Sequence, residues 1–165
     1  DTHGLPVELG VEKMLGITKE DIGKKISIKE YNATCRKEVL KYKEGICYPK
    51  SHLLAALLRS NKIPTGFCYQ LLILDDELYP FLVLHGLNAV YIQSLKKWIR
   101  LDARGNKKGV NARFCVEEES LAFTVRPEKG EKDFPLIYAD PLPGVLECFV
   151  NSNTIEALRR NLPRS

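Results

Sequence analysis

At 165 residues, with 44% hydrophobic and 28% charged side chains, the chain suits one domain with a sizeable core. No apolar run approaches a membrane span, no signal-peptide pattern is present, and the net charge of +4 is evenly spread, so neither a membrane nor a nucleic acid is an expected partner. Five cysteines without a C-x-x-C pair or a Cys/His cluster argue against a metal site and fit reduced thiols in a cytoplasmic setting.

Taken in chain order, Thr18-x-x-Asp21 and Ser27-x-x-Glu30 read as helix starts, the second as a capping box. Ile28, Tyr31, Cys35, Val39 and Tyr42 then form an apolar stripe at three- and four-residue steps, predicting a helix over 28–43 after a shorter one near 5–15. A third helix begins at Cys47, with Pro49 in its first turn, an apolar face of Leu53, Leu54, Leu57 and Leu58, and a stop at Asn61 and Pro64. GFCYQLLIL follows as a strand, Asp75-Asp76-Glu77 as a turn, and LHGLNAVYI and KWIRLD as two further strands. Beyond Asp102 the chain turns irregular and polar, with Glu117, Glu118 and Glu119 on a solvated face, before NTIEALRRNLP closes it as a short helix with Ile155 and Leu158 inward.

Three residues stand out. Cys47 opens a helix, His85 lies on a following strand and Asp102 ends the next one. A helix N-terminus favours a thiolate, an imidazole takes up a thiol proton, and a carboxylate fixes the tautomer and steadies the cation. A two-residue turn at Gln93-Ser94 would put His85 directly opposite Asp102, with Cβ atoms about 4.5–5.5 Å apart. The chain has three histidines, and the other two fit poorly: His3 lies in a different segment, and His52 sits five residues beyond Cys47, roughly 140° around the helix axis. Cys68, in mid-strand, reads as a core thiol, and Arg104 and Asn106 as brackets for the strand end.

The segments EGIC, HGLNAVY and LDARGN, in this order, resemble those of the transglutaminase-like cysteine enzymes over residues 44–165. The resemblance implies an α+β fold with a papain-like core, in which the Cys-bearing helix packs on an antiparallel sheet. It also implies Cys47 as nucleophile, His85 as base and Asp102 as its orienter, acting without a cofactor on an amide or glutamine carboxamide of a protein or peptide through a thioester. Transamidation, deamidation and peptide hydrolysis all remain open. Related enzymes draw a second oxyanion donor from upstream of the cysteine; here Gln70 and Tyr69 are the side chains considered for that role. Residues 1–43 resemble an internal piece of bacterial isoleucyl-tRNA synthetase beginning at DTHGLPVE, without either ATP-site signature, and Asp1 in place of an initiator Met reads as a cut end. Two domains are expected, 1–43 and 44–165. The alternative is a non-catalytic, transglutaminase-derived binding or scaffold module.

Overall fold

The computed structural model describes Val39, residues 45–104, 106, 109–152 and 155–164. The helix predicted near 5–15, the capping box Ser27/Glu30, Cys35 and most of the 28–43 helix lie outside these residues. Val39 is helical and buried, in one cluster with Leu53, Leu54, Leu57 and Leu58.

Helix α1 spans Cys47–Ser60 and is followed by strands β1 (Thr65–Asp75), β2 (Tyr79–Ile92) and β3 (Lys97–Leu101). A short strand β4 (Lys132–Asp133) and helices α2 (Pro143–Val150) and α3 (Ile155–Asn161) complete the described elements. The sheet is antiparallel in the order β3-β2-β1-β4. The fold is thus a mixed α+β arrangement, as expected from the sequence. No helix among the described residues is long and apolar enough to cross a membrane.

α1 is buried on more than the predicted leucine face: Tyr48, Ser51, His52 and Ala55 are enclosed as well. Its leucines pack against Val90, Ile99 and Leu101. Tyr48 and Ala55 pack with Phe67, Tyr69 and Leu71 of β1 and with Val145 and Cys148 of α2. On the other face of the sheet Cys68, Leu87 and Ala89 form a second layer of core. With both faces covered, β1 and β2 read as near-continuous apolar runs. His52 stands edge-on to Phe67, ring centroids 5.2 Å apart, consistent with its placement away from the thiol.

The hairpin register differs from the sequence expectation. Residues 93–96 form a four-residue turn, not a two-residue one, with Lys96 at φ 48° and the Leu95 N–H donating to Ile92 O. Asn88 therefore pairs with Leu101 and Ile92 with Lys97, a slip of two residues. A two-residue slip keeps every side chain on its face, so the pairing of His85 and Asp102 survives as a diagonal contact.

α2 is absent from the sequence reading. Pro143 sits in its first turn, where the missing N–H costs nothing, and Val145 and Cys148 are its buried positions. In α3, Leu158 packs inward as expected; the Ile155 side chain lies outside the described set.

Candidate functional site

Cys47 is the first residue of α1, directly after the extended Ile46, so its backbone amide belongs to the helix turn whose N–H groups have no intrahelical acceptor. His85 lies in the middle of β2, only 5% exposed. Asp102 follows the last residue of β3, and its carboxylate is 1% exposed. Its Oδ2 lies 2.6 Å from His85 Nε2, while Oδ1 accepts the Arg104 N–H at 2.9 Å. Both carboxylate oxygens are used, which fixes the carboxylate plane and with it the ring of His85. Nδ1 remains as the ring nitrogen for the thiol.

Burial alone would lower the His85 pKa. The Asp102 carboxylate and the Cys47 sulfur outweigh it and push the imidazole up from 6.5 to about 10. The sequence-chosen Cys47, His85 and Asp102 are therefore brought together around one imidazole. The remaining described thiols are elsewhere: Cys68 and Cys148 are buried in the core, and Cys115 donates to Glu117 Oε2 at 3.1 Å. Burial drives the Cys68 thiol up to about 11.

Close approach of α1 to β2 explains the glycine after His85. A Cβ on Gly86 would meet Tyr48 Cδ1 at 2.8 Å and Cε1 at 3.2 Å. Tyr48 is fully buried and its hydroxyl donates to Leu84 O, so the ring has nowhere to retreat. Gly86 thus sets how near the start of the Cys helix lies to the His strand.

Phe123 escapes the sequence reading. Its ring stands edge-to-face with His85, centroids 5.2 Å apart and planes at 87°, and the Arg104 guanidinium lies 4.9 Å above the Phe123 centroid. Phe123 comes from the irregular stretch after β3, where Arg113 bridges Ser120 and Asn106 clasps Ala112 through both its amide atoms. Asn106 therefore clasps the following loop and not the strand end assigned to it from the sequence. Arg104 brackets the strand end through its backbone N–H to Asp102, and its side chain reaches the site. Of the Glu117–Glu119 run, Glu119 is not simply solvated: it binds Arg100, which also pairs with Asp133. A cavity of about 910 Å³ is lined by Cys47, His85, Arg104, Phe123, Arg126 and Glu131, among others.

The two side chains considered as a second oxyanion donor have partners of their own. Gln70 Nε2 donates to Asp133 Oδ2 at 3.4 Å, and the Tyr69 hydroxyl accepts the Leu142 N–H at 3.0 Å. No group of three or more His, Cys, Asp or Glu that could hold a metal occurs among the described residues.

A thiol at a helix start joined to a histidine and an aspartate on a β-hairpin defines a recognisable class of protein. The chain belongs to the transglutaminase-like superfamily, whose profile matches residues 19–103, just over half of it. That match starts inside the 1–43 segment and ends one residue after Asp102. The chain is also similar to isoleucine–tRNA ligase of Bacteroides thetaiotaomicron, 81% identical over 42 residues, and to that of Porphyromonas gingivalis, 79% identical over 42 residues. The ligase of Cytophaga hutchinsonii is 74% identical over 43 residues. Each alignment covers 26% of this chain, and the chain spans about 4% of the length of these relatives. Both sequence resemblances are thereby borne out. No solved structure matches.

Proposed function

We propose that the chain is a transglutaminase-like thiol enzyme that transfers or hydrolyses the acyl group of an amide, a glutamine carboxamide or a peptide bond in a protein or peptide. The observation that carries this reading is the buried imidazole of His85, 2.6 Å from Asp102 and lining one cavity with Cys47. With its pKa raised to about 10, His85 holds a proton at neutral pH and sets a cation beside the Cys47 sulfur.

Cys47 Sγ attacks the carbonyl carbon, forming a C–S bond while the carbonyl electron pair moves to oxygen. The backbone N–H of Cys47 is a ready donor to that oxyanion. As the tetrahedral intermediate collapses, the C–N bond breaks and His85 gives its proton to the departing amine or ammonia, leaving a thioester. Neutral His85 then takes a proton from an entering water or primary amine, whose attack on the thioester carbon breaks the C–S bond and releases the product and Cys47 Sγ. Asp102 keeps the imidazole oriented and stabilises its cation through both steps. The cavity beside the thiol offers room for a peptide segment. The domain doing this work is proposed to be residues 44–165 in a papain-like arrangement, with 1–43 a separate synthetase-like fragment.

Glutamine-containing peptides, incubated with and without a primary amine, test the reading by mass spectrometry. Turnover is expected in the wild type and in neither Cys47→Ala nor His85→Ala, since nucleophile and base act as a unit. Turnover in His85→Ala above about a tenth of the wild-type rate would remove His85 as the base, because a general base contributes at least ~10²-fold.

A further inference from the structure

The charged groups on the cavity wall are not equivalent. Asp76 is held by Arg126 and Lys129, at 2.6 and 2.9 Å. Glu131, 4% exposed, takes the Arg126 guanidinium and the backbone N–H groups of Ile73 and Arg126. Asp75 accepts the Glu77 and Leu78 N–H groups of its own turn. The acids of the wall are thus spent on the fold, and Arg126 with them. Arg104 differs. Its guanidinium rests on the Phe123 face and has no carboxylate partner among the described residues, yet it borders the cavity one aromatic ring away from His85. With no side-chain hydrogen bond formed among the described residues, its planar fork of N–H donors is available to take a carboxylate bidentately.

We infer that Arg104 forms an anion subsite beside the thiol, so that the favoured acyl donors carry a carboxylate close to the amide under attack. This rests on the proposed thiol chemistry for its biological meaning. The subsite itself depends only on Cys47 and Arg104 sharing one cavity. The inference also gives Arg104 a role beyond the strand-end bracket, which its backbone N–H alone fulfils.

Two small alkylating agents of similar size test it without any assumption about substrate: iodoacetate, an anion, and iodoacetamide, its neutral counterpart. Rates at Cys47 are read by peptide mass spectrometry in the intact chain, and their ratio is compared with that of a free thiol in the same buffer. The acetate-to-acetamide ratio at Cys47 is expected to exceed that of the free thiol and to fall about tenfold in Arg104→Gln, the range in which a local cation concentrates an anion. Arg104→Met keeps an apolar stem over Phe123 and should lose the ratio equally. The iodoacetamide rate serves as the internal control, because a misfolded site would change both agents together. A ratio unchanged in both variants overturns the inference. Slow alkylation of wild-type Cys47 by both agents, with the ratio still dependent on Arg104, would count against the proposed enzyme activity while leaving the subsite in place. At the level of substrate, a glutamine peptide with a free carboxylate beside the glutamine should have a lower KM than its amidated form. That advantage should vanish in Arg104→Gln with kcat little changed.

Discussion

Asp102→Asn changes one oxygen to an amide nitrogen at a position where both oxygens are occupied. Oδ1 takes the Arg104 N–H and Oδ2 faces His85 Nε2. Asparagine has a single acceptor, so either the backbone N–H or the imidazole must face an NH2 group. A hydrogen bond to a charged partner contributes about 1.5–3 kcal/mol. At ~1.4 kcal/mol per tenfold, its loss lowers the imidazole pKa by about one to two units and turnover by about 10- to 100-fold. The same loss takes about 1.5–3 kcal/mol from the folded state near neutral pH, so the melting temperature should fall by roughly 3–12 °C while the shape of the site is kept. Turnover of a glutamine peptide, the pH dependence of Cys47 alkylation and the melting temperature would be measured on the same preparation. A rate within twofold of wild type with an unmoved pH profile would refute the reasoning. A lowered melting temperature with an unchanged rate would make Asp102 a structural residue.

Gly86→Ala should force the Tyr48 ring or the start of α1 to shift, because the new methyl would sit 2.8 Å from a ring with no free space. A loss of about 1–3 kcal/mol in urea unfolding is expected, with slower alkylation of Cys47; wild-type stability would show that the helix and strand are not in close contact. The raised His85 pKa also has a stability consequence. The folded state holds the proton more tightly than the unfolded chain, so the contribution of His85 is fully present below about pH 6.5 and is lost as pH rises through about 10. The stability advantage of wild type over His85→Gln, followed from pH 6 to pH 10 or so, should therefore shrink. An advantage that grows with pH would contradict the assigned direction.

Much of the candidate site is legible in the sequence, because its positions are set by local rules. Cys47 opens a helix that Pro49 and the leucine spacing announce, His85 lies on the strand after the Asp75-Asp76-Glu77 turn, and Asp102 directly follows the next strand. What local rules leave open is register. Gln93-Ser94-Leu95-Lys96 carries no Asn-Gly or Gly signal, and Lys96 adopts the left-handed region where glycine would normally mark the turn. The slip is two residues, an even number, so the sequence places the side chains on the right faces although not opposite the right partners. Phe123 was invisible for another reason. It reaches His85 from an irregular stretch 21 residues after Asp102, through contacts that no periodicity encodes. The same holds for the Arg104 side chain, whose place is defined by the Phe123 ring. α2 was missed because its eight residues bury only Val145 and Cys148, too short a stripe to stand out.

The central claim is that His85 holds Cys47 ready as a nucleophile, and the most direct measurement is competitive alkylation of all five cysteines near pH 6. Substoichiometric iodoacetamide would be used, with each site quantified by mass spectrometry in wild type and His85→Ala. Cys68, buried with its thiol raised to about 11, is expected to stay unmodified, and Cys115 to react slowly. Cys47 should react at least about tenfold faster than any other thiol and lose that lead in His85→Ala. Cys47 reacting no faster than Cys115, or keeping its lead without His85, would contradict the account.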